Sequence, residues 1–477
     1  MRKEIRFSLA YRDMWQSWGR FFPSLTQLMD VAPAIISMGC FDRVETNGGA
    51  FEQVCLLMGE NPNNVVRSWT SPFNKAGIPT MMLERGLSGL RLSPVPSDVR
   101  ELMFKVKKLQ GTDISRSFCG LNDHRNILPS IEYAHKAGMI SQVALAIFDS
   151  PTHTVDHYMD IVNKVVEGGC DEICLKVMSG VGKPSFLSEL TFRIKKLYPS
   201  IPLHYHGHGG PDFSPETILD IVRAGADYVD VAVAPLAWGK GHPDVAFVHD
   251  MLKNDGFIVK DINEDARRAV ADMTKSAMDG FLAQGVKNVD EQLIDSRLPG
   301  GMIGSLMSDL DDFLSAVNYT LRSRSQPEIT SNQLIGELVA EIEYVWPRLG
   351  CPPMVTPFSQ YVRNVSLMNI LHKYKGQPRW TSIDKDSWNM ILGRMGQLPG
   401  PVAVEIRDLA HRQGLEFYTG NPQDLYPDQL DSLRQRMSDK GWNYGQDDED
   451  LLEFAMHERQ FVRNLIARNH VCHDLRF

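Results

Sequence analysis

Leu203-His204-Tyr205-His206 is the stretch on which the reading of this chain turns. On a strand, residues i and i+2 project from the same face, so His204 and His206 can grip a single metal ion. Taken alone, such a pair equally suits a hydrogen-bonded core. Its neighbours add weight. Asp171-Glu172-Ile173-Cys174-Leu175-Lys176 precedes it and Tyr228-Val229-Asp230-Val231-Ala232-Val233-Ala234 follows it, and both read as buried parallel strands. Three consecutive strands therefore carry polar groups toward their C-terminal ends.

Working outward, apolar strand-like runs alternate with amphipathic helical stretches through roughly the first half of the chain. Eight candidates emerge: Arg6–Arg12, Phe41–Thr46, Thr80–Arg85, Ile114–Phe118, Gln142–Phe148, Glu172–Met178, Pro202–His206 and Tyr228–Ala234. Eight βα repeats predict an α/β fold of the TIM (β/α)8 barrel type. Ser214-Pro215-Glu216 supports the alternation, because Ser caps a helix and Pro suits its first turn. A doubly wound sheet is the competing fold, but no Gly-x-Gly-x-x-Gly follows the first strand. From about Ile258 helical periodicity takes over, punctuated at Pro299-Gly300-Gly301 and Gly350-Cys351-Pro352-Pro353. This predicts a barrel domain over 1–298 and a largely helical C-terminal domain over 299–477. Asp447-Asp448-Glu449-Asp450 before Leu451-Leu452 suits a helix N-terminus, where the macrodipole favours negative charge.

With 477 residues the chain exceeds what one core usually supports, so two domains or a large barrel with an appendage are expected. A net charge of -9 argues against nucleic-acid binding, which needs a basic face. No apolar run reaches the length of about 18 residues that a membrane span needs, and Met1-Arg2-Lys3-Glu4-Ile5-Arg6 is not a signal segment. The seven scattered cysteines form neither a disulfide framework nor a Cys-x-x-Cys site. A cytoplasmic protein is expected.

A barrel of this type works at the C-terminal ends of its strands, which filters the polar residues. Strand one ends in Arg12-Asp13-Met14-Trp15-Gln16-Ser17, strand three in Glu84-Arg85-Gly86, strand six in Lys176 and strand seven in His204 and His206. Asp13 with two imidazoles makes a donor set suited to Zn²⁺, Mn²⁺ or Co²⁺ with open positions. Lys176 is anomalous in an apolar strand, where an ammonium must be paired or chemically altered, and burial would favour its reaction with CO₂. His153, His208, His470 and His473 have no partner at a defensible spacing and read as structural or solvent residues.

Several of these stretches, in this order, resemble the biotin-dependent carboxyltransferases of 2-oxo acids: the carboxyltransferase domain of pyruvate carboxylase, the oxaloacetate decarboxylase α subunit and the keto-acid subunit of transcarboxylase. The resemblance rests on Arg12-Asp13-Met14-Trp15-Gln16-Ser17, Asn47-Gly48-Gly49-Ala50, Leu121-Asn122-Asp123-His124-Arg125-Asn126, Ser150-Pro151-Thr152-His153-Thr154, Pro299-Gly300-Gly301-Met302, and Pro352-Pro353-Met354-Val355-Thr356-Pro357-Phe358-Ser359-Gln360. It implies that Asp13, His204 and His206 ligate the metal, with a carbamate on Lys176 as the fourth ligand. It implies that Gln16 and Arg85 hold the 2-oxo acid and that the Thr356 hydroxyl passes a proton between substrate and biotin. In the implied reaction carboxybiotin releases CO₂, pyruvate loses a proton to give an enolate stabilised by metal and Arg85, and the enolate captures CO₂ to form oxaloacetate, or the reverse.

The departures are specific. The family's Lys-Asp-Met is Lys176-Val177-Met178, its Arg-Gly-Gln-Asn is Arg85-Gly86-Leu87-Ser88, its Phe-Asp is Phe118-Cys119, and its Val-Gly-Thr-Gln is Val362-Arg363-Asn364-Val365. A shifted alignment would bring Arg91 to the place of Arg85. No lysine follows Lys440, whereas biotinyl domains carry one in a Met-Lys-Met turn, so biotin is expected in trans. The partners expected are a biotinyl carrier protein, a biotin carboxylase or decarboxylase-complex subunit, and further copies of the chain. An aldol-type lyase on a related barrel and a catalytically altered scaffold subunit are the rival readings.

Overall fold

Eight parallel strands close on themselves in chain order: β1 (Arg6–Leu9), β2 (Phe41–Gly48), β3 (Thr80–Glu84), β4 (Ile114–Phe118), β5 (Ile140–Ala146), β6 (Glu172–Val177), β7 (Leu203–Gly207) and β8 (Tyr228–Val231), with β8 pairing back to β1. The computed structural model describes residues 3–19, 22–148, 150–178, 182–209, 214–278, 300–442 and 447–474, and their side chains except in 214, 300–309 and 465–474. Helices on the outside cover the barrel, as parallel strands require. Met82, on the outer face of β3, packs with Leu102 and Met103 of the helix Ser97–Leu109.

The lumen departs from the branched apolar filling usual in such barrels. Near the N-terminal end Arg43 of β2 forks onto Glu172 of β6 at 2.6 and 3.1 Å and lies 3.9 Å over the Tyr228 ring. One layer higher, Arg116 of β4 reaches Asp230 of β8, and Gln142 of β5 reaches His204 of β7. Buried charges are tolerated only when their partners are fully supplied. This lumen supplies them by pairing cations and carboxylates across the barrel, and Leu83, Phe118, Ala144 and Cys174 form a small apolar cluster beside them.

Two of the expected strands end early. β1 stops at Leu9, and Tyr11–Trp18 is helical, so Arg12, Asp13 and Gln16 lie on a helix and not on a strand end. The reason is in the sequence: Tyr11, Met14 and Trp15 recur at i, i+3 and i+4 and are all buried, while a strand alternation stops at Ala10. β8 likewise ends at Val231, short of Ala234. The helix of Ser214 begins at that residue.

The C-terminal part contributes the helices Gly300–Ser323, Ser331–Arg348, Phe358–Tyr374, Lys385–Ile391, Val404–Arg412, Leu430–Asp439 and Asp448–Asp474. The 298/299 boundary, Pro299 and the side chains of Gly300, Gly301, Met302, His470 and His473 lie outside the described residues. One apolar core runs without interruption from Phe7 and Val229 to Leu338, Val362 and Ile406. The last helix starts where the acidic run lies: the Asp447 carboxylate accepts from the Glu449 amide at 2.8 Å, and Asp448 pairs with Lys105 at 2.8 Å. Its Leu451 and Phe454 join Leu102 and Met103. Among the described residues no helix is long and apolar enough to cross a membrane.

Candidate active site

At the C-terminal mouth of the barrel, three imidazoles converge on one carboxylate oxygen. Asp13 Oδ2 lies 3.0 Å from His206 Nε2, 3.2 Å from His242 Nε2 and 3.4 Å from His208 Nε2. Each ring is turned by an acceptor at its other nitrogen. His206 Nδ1 is 2.5 Å from Asp230 Oδ2, His208 Nδ1 is 2.7 Å from the Lys240 carbonyl, and His242 Nδ1 is 2.9 Å from the Gly207 carbonyl. A carbonyl can only accept, so in His208 and His242 Nδ1 carries the hydrogen and Nε2 is left with a bare lone pair; at His206 Nδ1 the Asp230 carboxylate, at 2.5 Å, lies closer than the Arg116 guanidinium at 3.0 Å and favours the same tautomer. Three lone pairs facing a carboxylate repel unless a cation sits among them, and imidazoles tied back in this way are the usual surroundings of a metal.

The electrostatics agree. Burial alone would raise the Asp13 carboxyl, but the Arg12 guanidinium beside it draws it well below the usual carboxylate range. Burial pushes His206 well below its ordinary value, helped by Lys176 and His242, and pushes His208 down too. Asp13 is therefore held as a carboxylate and His206 and His208 as neutral rings, the state that binds a divalent ion.

His204 is the correction. It sits one pleat below His206, roughly 6.6 Å along the strand. Its Nε2 is 2.5 Å from Asp230 Oδ1, and it stacks on Tyr228. It holds Asp230 from below, and Asp230 in turn orients His206, so it cannot reach the Asp13 cluster. His208, read from the sequence as structural, is the residue that does. A signal for it existed, since His204, His206 and His208 alternate, and His206 and His208 are the two nearest the C-terminal end of β7. Asp230 and Arg116 carried the same signal as Lys176, a charge in an apolar strand. His242 had none, because it comes from a loop far along the chain.

Lys176 is where the sequence put it. Its Nζ is 3.2 Å from His206 Nε2, and burial lowers its pKa, with Asp13 opposing. Arg12 grips Glu45 at 2.7 and 3.0 Å, faces Asp13 Oδ1 at 3.4 Å, and donates to the Gln16 side-chain oxygen. Gln16 is thereby held at the mouth.

Arg85 follows β3 and donates only to the carbonyls of Leu90 and Arg91, at 3.3 and 3.4 Å. Among the described residues no carboxylate comes within ion-pair distance of it. Burial, and then Arg12 nearby, lower its pKa. Gly49 explains the Asn47-Gly48-Gly49-Ala50 stretch: a Cβ there would fall 2.1 Å from Arg85 Nη1. Arg91 instead turns away, to Ser93 and the Ala455 carbonyl. Arg85 and Thr356 line one cavity together with Leu87, Leu92, Phe118 and Phe358. Gly120 lies where a Cβ would strike the Phe358 ring at 2.5 Å, so the Thr356 segment packs directly on the end of β4.

Fold and site define a (β/α)8-barrel enzyme with an imidazole–carboxylate centre and a buried guanidinium that has no carboxylate partner among the described residues. Residues 328–473 match the family described as a conserved carboxylase domain. The chain is 28% identical over 460 residues to a pyruvate carboxylase subunit of Methanocaldococcus jannaschii, covering 96% of this chain and 76% of that protein. It is 27% identical over 454 residues to the methylmalonyl-CoA carboxyltransferase 5S subunit of Propionibacterium freudenreichii subsp. shermanii, covering 94% and 84%. The carboxyl transferase domain of Rhizobium etli pyruvate carboxylase, solved with pyruvate and biocytin, superposes with a TM-score of 0.82 at 20% identity, covering 98% of this chain and 78% of that one. Over nearly its whole length the chain is thus similar to subunits of pyruvate carboxylase and of methylmalonyl-CoA carboxyltransferase.

Proposed function

We propose that this chain moves CO₂ between a carboxybiotin and a 2-oxo acid, with Asp13, His206 and His208 holding a divalent ion and Arg85 receiving the acid's carboxylate. The convergence of bare Nε2 atoms on Asp13, beside a guanidinium with no carboxylate of its own, is the observation that carries the reading. The Arg85 fork suits a bidentate contact with the acid. Gln16, fixed through its oxygen by Arg12, offers its amide hydrogens to the oxo group. The Thr356 hydroxyl relays a proton between the acid's C3 and the biotin ureido group. When bound, the ion would polarise the 2-oxo group as a Lewis acid. The apolar walls from Leu87, Phe118 and Phe358 exclude water, which protects a reactive carbanion from being quenched.

Lys176 is proposed to react as a neutral amine with CO₂: an N–C bond forms, a C=O electron pair moves to oxygen, and one N–H proton is released to solvent water, giving an anionic carbamate that would add negative charge to the metal site. Lys176→Arg cannot do this and should abolish turnover. Full turnover in that variant removes the carbamate from the mechanism.

Biotin is proposed to come from a carrier protein working with a biotin carboxylase or decarboxylase-complex subunit. The described cysteines are all buried free thiols, which suits a reducing cytoplasm.

Leu87 and Leu92 in the cavity wall favour a 2-oxo acid with a more apolar tail than pyruvate. Label transfer from the carboxylated carrier, measured across pyruvate, 2-oxobutyrate and bulkier 2-oxo acids, tests this. Higher kcat/KM for the longer acids is expected, and turnover of pyruvate alone refutes the apolar preference. Turnover of none, with metal bound and carrier supplied, refutes the transfer reaction.

A further inference from the structure

We infer that His242 is a metal ligand of this chain, making the donor set of unmodified side chains three imidazoles and one carboxylate, so that the ion binds before Lys176 takes up CO₂. The inference rests on the metal reading above and assigns a residue that the strand motifs do not contain.

His242 lies in the loop between β8 and the helix Val245–Asn254 and is completely buried. Its ring stands 4.4 Å from that of His206 and 4.6 Å from that of His208, centroid to centroid. Because the Gly207 carbonyl takes its Nδ1–H, Nε2 faces Asp13 Oδ2 as an acceptor facing an acceptor. One proton between them would satisfy one ring. It would leave the other two Nε2 atoms pointing at the same oxygen with nothing to bind. A single cation accepts from all four donors at once.

The loop is built to hold that ring against β7. The exchange is reciprocal: His242 Nδ1 donates to Gly207 O on the strand, His208 Nδ1 donates to Lys240 O on the loop, and the Gly209 amide donates to Gly241 O at 2.6 Å. Gly241 permits the approach, since a Cβ there would lie 2.3 Å from the Leu236 carbonyl oxygen. The Trp238 amide closes the loop onto the His242 carbonyl at 2.8 Å. By contrast Lys176 Nζ lies 3.2 Å from His206 Nε2 and 5.7 Å over the Phe118 ring, and it forms no ion pair with Asp13. The loop histidine, not the lysine, completes the ring of donors around Asp13 Oδ2.

Asn is the informative replacement. Its amide N–H can keep the bond to Gly207 that Nδ1 makes, while nothing remains at the place of Nε2. The full chain, stripped of metal, is titrated with Co²⁺ in CO₂-free buffer and again with bicarbonate, and imidazole nitrogens on the bound ion are counted by X-ray absorption. The parent is expected to bind one ion without CO₂, with three imidazoles. His242→Asn is expected to weaken binding by more than about 100-fold, beyond the loss caused by disturbing a residue that merely supports a ligand. Parent binding that appears only with bicarbonate, two imidazoles on the parent's ion, or His242→Asn affinity within that limit overturns the inference and leaves the metal site standing. Absence of a stoichiometric ion under both conditions overturns the metal reading itself. The imidazole count on the parent decides the question even where the variant fails to fold.

Discussion

Replacing His206 by Ala is expected to strip the protein of its stoichiometric metal and to lower turnover by on the order of 10³-fold, the effect of removing several kcal/mol of Lewis-acid stabilisation. His206 is the pivot of the site. Its Nε2 faces Asp13 and lies near Lys176, while its Nδ1 is fixed by Asp230. His204→Gln is the paired measurement. His204 meets Asp230 from below and lies outside the Asp13 cluster, so this variant is expected to keep the ion. Elemental analysis of the two purified variants, with circular dichroism to verify folding, separates the outcomes. Equal metal content in His206→Ala and the parent removes the ion from this site, and loss of metal in His204→Gln with His206→Ala unaffected returns the ligand role to the inner histidine.

Arg85→Gln is expected to lower kcat/KM for the 2-oxo acid by roughly 30- to 150-fold, corresponding to the loss of about 2–3 kcal/mol for a charge-assisted, partly buried contact. Most of that should fall on KM, because the carboxylate is bound in ground state and transition state alike. Metal content should not change, since Arg85 donates to carbonyls and not to the Asp13 cluster. Arg91→Gln serves as the comparison: its side chain faces Ser93 and the last helix, and it should alter KM by no more than a fewfold. Steady-state kinetics on both variants with the same acid decides between the two arginines. An Arg91 variant with the larger effect would move the anion site to the shifted alignment.

The barrel was legible because period-two apolar runs, repeated eight times between amphipathic helices, have one economical closure. Lys176 and Arg85 were legible for a related reason. A charge at the end of an apolar strand must face either the lumen or the mouth, and both do. Asp13 was placed at the mouth for the wrong local reason, as a strand end, when the first turn of a helix holds it there.

What the sequence by itself determined is the direction in which strand side chains point, because successive residues of a regular strand face opposite sides. That suffices for the barrel, for the polar lumen and for the shared face of His204, His206 and His208. Depth along the strand and the arrival of loops were decided only by the tertiary structure. Which two of the three histidines reach Asp13 depends on where β7 stops against the β8 loop, and the convergence of His242 on Asp13 depends on hydrogen bonds between Gly207, Lys240 and Gly241 that no spacing encodes. A period constrains orientation, whereas distance between residues remote in sequence is set by how the closed barrel packs its ends.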